Sequence, residues 1–181
     1  MLTLLLGPMK SGKSMDLISY FAPFKYSLQP YAVFQNAKHV RDQEGIWTRN
    51  GIILEAKRVL TLAEALNQNY TAIGIEETHM FPESEVDIIA QLLKQGTKVI
   101  ASGLDTDPWG ELFGVIKRLL ELGPKEVRYK RAVCDDCRCP DAIYTQVSHH
   151  GEPVGRDVPQ SIPDDGTYTY KAVCRDCFVR K

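Results

Sequence analysis

The segment Gly7-Pro8-Met9-Lys10-Ser11-Gly12-Lys13-Ser14 limits what this chain can fold into more than any other stretch. It fits G-x-x-x-x-G-K-[ST] in full. It follows an apolar run, residues 1–6, that reads as a short buried strand, and it opens a helical pattern. In that setting the backbone N–H groups of the loop and of the helix start point at anionic oxygens. Lys13 suits the β- and γ-phosphates of a nucleotide, and the Ser14 hydroxyl suits Mg²⁺.

Strand and helix patterns alternate beyond the loop. Residues 14–26 read as a helix with Leu17, Ile18 and Phe21 on one side, kinked or ended by Pro23. Residues 31–35, 72–75, 99–101 and 126–129 read as strands, and 51–55 as a shorter one. Residues 36–50 are polar and irregular, with the basic residues Lys38, Arg41 and Arg49. Thr61 and Glu64 have capping-box spacing for a helix over 61–67. Helices are also predicted over 82–95 and 115–122, on either side of a loop at 103–113. Alternation of this kind implies an α/β fold with a mainly parallel sheet covered by helices. After residue 130, cysteine, proline, glycine and histidine become frequent and helical periodicity ends. The expected domains are therefore residues 1–130 and 131–181.

The predicted strand at 72–75 runs into Glu76-Glu77. A phosphate-loop enzyme needs a carboxylate at such a strand end to hold Mg²⁺ directly or through water. Because side chains alternate along a strand, two adjacent carboxylates face different ways. One can face a metal while the other faces an acceptor hydroxyl.

Cys134-x-x-Cys137 and Cys174-x-x-Cys177 are the pattern of a structural zinc site with four thiolate ligands. A redox pair or two disulfides are the other uses of such spacing. Cys139 is the fifth and odd cysteine, and it competes with Cys137 as a ligand. His149-His150 reads as part of a polar loop.

Charge narrows the function classes. Lys and Arg total 22 against 23 for Asp and Glu, a net charge of -1. A dedicated duplex-DNA binder needs a basic face, so no nucleic-acid partner is expected. No run approaches the roughly 18 apolar residues of a membrane span. The short apolar start lacks the basic flank of a signal peptide. Both point to a cytoplasmic protein with no membrane partner.

Taken in order, these pieces resemble the thymidine kinase family of the P-loop, zinc-containing type. Gly7-Pro8-Met9 with Ser11-Gly12-Lys13-Ser14 is similar to that family's G-P-M-F-S-G-K-[ST]. Ile73-Gly74-Ile75-Glu76-Glu77 stands where it has I-G-[IV]-D-E. Gly103-Leu104-Asp105, with Asp107, Gly110 and Phe113, resembles G-L-D-x-D-F-x-G-x-P-F. Ala132-Val133-Cys134 and Cys174-Arg175-x-Cys177 resemble A-V-C-x-x-C and C-R-x-C. The resemblance implies a RecA-like P-loop core with a small C-terminal zinc-binding lasso, and transfer of the γ-phosphoryl of ATP to the 5′-hydroxyl of thymidine. It implies Glu77 as catalytic base and Glu76, with Ser14, near Mg²⁺. It places Gly7, Met9, Lys10, Ser11, Gly12, Lys13, Ser14 and Arg41 on the phosphates. Thymidine contacts are implied for Met9, Met80, Leu104, Phe113, Thr145 and Tyr170. Structural Zn²⁺ on Cys134, Cys137, Cys174 and Cys177, a homotetramer, and thymidine triphosphate as feedback inhibitor complete the expectation.

The chain also departs from the family pattern. Lys10 stands where an aromatic residue is usual, Glu76 replaces Asp, and Thr78-His79-Met80 replaces A-Q-F. His39 replaces an Asp two positions before Arg41, and Pro108-Trp109 replaces F-R. From Cys137 to Thr145 there is one residue more than the family's spacing. These changes mark a divergent member. They keep open a weakened relative that senses nucleosides or nucleotides, and a different P-loop NTPase acting on nucleic acid.

Overall fold

The structure, a computed structural model, describes residues 1–37, 45–47, 53–162 and 165–181. Arg41, His39, Lys38 and Arg49 lie outside the described residues.

Five consecutive apolar or β-branched residues form β1 (Leu2–Leu6). It is followed by α1 (Lys13–Phe21), β2 (Tyr31–Asn36), and the short pair β3 (Ile46–Trp47) and β4 (Ile53–Leu54). Next come β5 (Lys57–Val59), β6 (Ala72–Glu76), α2 (Glu85–Lys94), β7 (Lys98–Gly103), α3 (Gly114–Glu121) and β8 (Glu126–Tyr129). Six of these strands form one parallel sheet in the order β5-β2-β6-β7-β1-β8. This is the α/β architecture expected from the alternation of patterns.

Period-two alternation sends each strand into two cores. Leu4, Leu6, Phe34, Ile73, Ile75, Val99 and Ala101 face the side covered by α2 and α3. Leu5, Val33, Ala72 and Ile100 face α1 with its Leu17, Ile18 and Phe21. A sheet covered on both faces explains why its central strands carry near-continuous apolar runs. Each such side chain, fully buried, is worth about 1.5–3 kcal/mol of transfer free energy. Gly74 lets α1 settle close, since a Cβ there would come within 2.7 Å of the Phe21 ring.

Some local expectations are corrected. α1 ends at Phe21, and Ala22–Tyr26 continues as a 3₁₀ turn carrying Pro23 in its first turn. Leu62–Asn67 is also 3₁₀, with Thr61 as its N-cap as expected: the Thr61 hydroxyl accepts from the Ala63 N–H at 3.3 Å. The same hydroxyl donates to buried Glu85 of α2 at 2.9 Å, and the Leu62 N–H donates to that carboxylate at 2.6 Å. A carboxylate distant in sequence thus joins the local cap. β5 was not predicted; it is short, largely exposed and carries Lys57-Arg58.

Beyond the large sheet, β9 (Tyr144–His149), β10 (Glu152–Pro153) and β11 (Thr169–Val173) form a small antiparallel sheet in the order β10-β9-β11. Its core is small: Ala132, Ala142, Ala172 and Val173, with Cys134 and Cys174. Tyr144 stacks on Phe178 at a centroid distance of 4.3 Å. So little apolar volume needs a staple, and the cysteines sit where one would act. Among the described residues, no helix is long and apolar enough to cross a membrane.

Candidate active site

The site forms where β1, β6 and β7 end, at their C-terminal edge. In an open parallel sheet that is the edge at which ligands bind. β7 runs between the strand that feeds the glycine loop and the strand that ends in the acidic pair. The two are therefore next-nearest strands rather than neighbours.

The loop over residues 7–14 turns on Gly7, at φ +140, where a Cβ would come within 2.3 Å of the Lys130 carbonyl oxygen. Only glycine accepts both that φ and that approach. Lys13 is buried and its Nζ donates to the Pro8 carbonyl at 2.7 Å. Desolvation lowers the Lys13 pKa, opposed by the negative charges of Glu77, Glu76 and Asp105. One ammonium thus sits among three carboxylates, at a helix start whose N–H groups are free to receive an anion.

Glu76 ends β6, and Glu77 is already outside it. Its backbone is left-handed, at φ 49 and ψ 46, and it caps the turn Thr78–Met80. Both carboxylates act on Lys13, and the charge of Glu77 acts on Glu76. Glu76 is buried and accepts a hydrogen bond from the Ser14 hydroxyl. Burial, then the charge of Glu77, pushes the Glu76 carboxyl up to about 7. Among the described residues, Glu76 Oε2, Asp105 Oδ1 and Ser11 Oγ are buried without hydrogen-bond partners. Buried acceptors left unpaired beside Lys13 and Ser14 suit a bound cation and phosphate oxygens.

A half-open cleft lies next to this acidic end. His79, Leu104, Phe113, Thr145, Gln160 and Tyr170 are among the residues lining it. Four residues with expected nucleoside contacts, Leu104, Phe113, Thr145 and Tyr170, are thus brought together from β9, β11 and the loop after β7. Met9 and Met80 are not among its lining residues. Met9 packs on the small cysteine-rich core, while its N–H donates to Thr145 Oγ1 at 3.0 Å. The Met80 carbonyl accepts from Asn36 Nδ2 at 3.0 Å. The Lys10 ammonium is engaged by Asp135 at 2.6 Å, so it links the glycine loop to the C-terminal segment.

His79 and Gln160 were not assigned to the cleft from sequence. His79 reads there as a plain polar substitute, and Gln160 lies in a stretch with no periodicity. Gln160 is placed by Asp107. That buried carboxylate accepts from the Trp109 and Glu111 N–H groups through Oδ1, both at 2.9 Å. It accepts from Gln160 Nε2 through Oδ2 at 2.9 Å. Arg156 adds an ion pair to Glu111 at 2.5 Å and lies over the Trp109 ring at 5.3 Å. Asp107→Ala is expected to destabilise the protein by about 1–3 kcal/mol for each buried N–H it strands. It should also speed protease nicking between residues 150 and 162. An unchanged melting temperature and nicking rate would show that Asp107 is not the anchor.

The thiol groups of Cys134, Cys137, Cys139 and Cys174 offer ligand atoms that all lie within 4.8 Å of one another. The Cys137 and Cys174 sulfurs are 3.7 Å apart. Four sulfurs at about 2.3 Å from one tetrahedral ion are about 3.8 Å apart, so this spacing fits zinc. The Cys137 N–H holds the Cys134 thiol down to about 6. Hydrogen bonds to Cys137 push Cys139 and Cys177 up to about 12. Thiols this crowded ionise together only around a cation. Cys139 enters the close group; Cys177 packs against the same core.

Comparison with known proteins agrees with this geometry. The thymidine kinase family model matches residues 1–178. The chain is 34% identical to a thymidine kinase of Thermococcus kodakarensis over 184 aligned positions, which cover 97% of this chain and 92% of the relative. It is 30% identical to thymidine kinases of Mycoplasma mobile and Pseudothermotoga lettingae. Those matches cover 96% and 98% of this chain, and 84% and 94% of the relatives. With loop, acidic strand end, cleft and cysteine cluster in the same chain order, and a match from end to end, the chain belongs to the thymidine kinase family.

Proposed function

We propose that the protein transfers the γ-phosphoryl group of ATP to the 5′-hydroxyl of thymidine, giving thymidine monophosphate. The observation that supports this reading is that Glu77, whose charge acts on buried Lys13, lies 3.3 Å from His79, one of the residues that line the cleft with Leu104, Phe113, Thr145 and Tyr170. Residues 1–130 act as the ATP-binding domain and 131–181 as a zinc-held lasso.

The loop N–H groups from Gly7 to Ser14 and the Lys13 ammonium hold the phosphates, with Arg41 as a further cation. Mg²⁺, when bound, neutralises phosphate charge as the transferring group loosens from its leaving oxygen. Ser14 Oγ and the unpaired Glu76 Oε2 would hold it. Phe113 and Tyr170 supply aromatic faces for the base, and Leu104 an apolar contact. Glu77 accepts the 5′-proton as the oxygen bonds to phosphorus. Little covalent work remains for the protein beyond this, so positioning and charge stabilisation supply most of the acceleration. Structural zinc would be held by Cys134, Cys137 and Cys174 with Cys177 or Cys139. By family resemblance the enzyme is a cytoplasmic homotetramer inhibited by thymidine triphosphate.

The test is a panel of nucleosides incubated with ATP, Mg²⁺ and zinc-loaded protein. Thymidine monophosphate is the expected product, with thymidine turned over faster than deoxyuridine. A folded, zinc-loaded protein that phosphorylates none of the panel would overturn the proposal.

A further inference from the structure

We infer that Gln35 is a further residue that holds Mg²⁺ at this site, through its amide oxygen beside Glu76. The inference rests on the proposed reading of Ser14 and Glu76 as the protein's metal-holding groups. β2 and β6 pair in parallel, with Val33 opposite Gly74 and Gln35 opposite Glu76. The first of these pairs faces α1. Val33 packs with Leu17 and Phe21, and a Cβ on Gly74 would meet the Phe21 ring. Two residues further along a strand, side chains return to the same face. Gln35 and Glu76 therefore stand side by side over the start of α1, on strands about 4.8 Å apart. The Ser14 hydroxyl at that start donates to Glu76, as this facing requires. Ser102 completes the row from β7. Ile100, two residues before it, packs against α1, and the Ser102 hydroxyl acts on Glu76.

The row one step below is apolar: Val33, Gly74 and Ile100. At the strand ends it becomes polar, yet it stays closed to water: Gln35 is 1% exposed, Glu76 4% and Ser102 1%. Among the described residues, Gln35 Oε1 and Glu76 Oε2 are both buried without a hydrogen-bond partner. Burying a polar oxygen with no partner is costly, and two oxygens that only accept cannot satisfy each other. An apolar side chain would fill the place of Gln35 at less cost to the fold. What both oxygens lack is one positive partner. Mg²⁺ takes oxygen ligands and keeps several of its waters. A neutral amide oxygen takes the ion or one of its waters without adding a second negative charge beside Glu76.

Mn²⁺ serves as the probe, because carboxylate, carbonyl and water oxygens suit it as they suit Mg²⁺. It is titrated into the zinc-loaded full-length chain with a non-hydrolysable ATP analogue, and into the analogue alone, and bound ion is read by electron paramagnetic resonance. Wild type should bind Mn²⁺ more tightly than the analogue alone does. Gln35→Met fills the space without an oxygen and should weaken binding by about 10–100-fold, the usual cost of losing an outer partner of a metal site. Gln35→Glu keeps an oxygen there and should bind at least as tightly as wild type. Without nucleotide or Mn²⁺, Gln35→Met should melt no lower than wild type, because the amide oxygen has no partner in the fold. Unchanged Mn²⁺ binding in Gln35→Met overturns the inference. So does a Gln35→Glu that binds as poorly as Gln35→Met, since the amide nitrogen would then be the group that matters. A Gln35→Met that melts well below wild type in the absence of ligand also overturns it, by making Gln35 structural. A wild type that binds Mn²⁺ no better than the analogue alone, or a Glu76→Gln that binds as well as wild type, refutes the reading of the metal site itself. Binding lost in Glu76→Gln but kept in Gln35→Met refutes only the part of Gln35.

Discussion

Glu77→Gln is expected to cut thymidine phosphorylation by about 10²–10⁴-fold, the usual worth of a positioned general base. The substitution keeps the size and reach of the side chain and removes only its capacity to take a proton. The Glu77 side chain is 28% exposed, so it can meet a hydroxyl entering from the cleft. Glu76 is a poor substitute. It is buried, bound by the Ser14 hydroxyl and pushed up to about 7, which suits a ligand that awaits a cation. Melting temperature should stay close to wild type in the variant, because the sheet does not depend on a charge at position 77, and ATP binding is measured beside it because the Glu77 charge acts on Lys13. The measurement is kcat under saturating ATP and thymidine, beside a thermal melt. A loss of less than tenfold would move the base to another group.

The second large effect concerns the cysteine cluster. Cys174→Ser is expected to abolish zinc binding and to unfold the small sheet of β9, β10 and β11. A structural zinc contributes on the order of 10–16 kcal/mol of binding free energy in small domains, far more than the alanine-rich core can replace. Cys137→Ser should do the same, since these two sulfurs are common to both possible ligand sets. Cys139→Ser and Cys177→Ser should differ from each other: one keeps the metal, and that one names the spare thiol. Zinc content by mass spectrometry of metals, with circular dichroism melts, reads all four variants. Full zinc occupancy in Cys174→Ser would remove Cys174 from the ligand set, and a wild-type protein without zinc would end the zinc assignment.

Some features were legible in the chain before any coordinates. The glycine loop, the strand feeding it, the Glu76-Glu77 pair and the two Cys-x-x-Cys knuckles are local. Their local form is set by residues within a few positions, through backbone hydrogen bonds and side-chain period. The mainly parallel character of the large sheet was legible too, because strands and helices alternate in sequence, but its strand order was not. The β9–β11 pair was not. Thr145 and Gln146 are buried polar residues, so the apolar alternation that marks a half-buried strand is missing there.

The sequence by itself thus determined the glycine loop after β1, the acidic strand end and the presence of a thiol cluster. Only the tertiary structure decided what faces what. It placed β7 between the strand that feeds the glycine loop and the strand that ends in Glu76, set Cys139 against Cys174 and tied Gln160 to Asp107. It gave Glu77 a left-handed backbone and brought His79 to its carboxylate. Each of these joins residues through the path of the whole chain. That path is set by the sum of many packing contacts, each too weak to leave a signature in the residues around it.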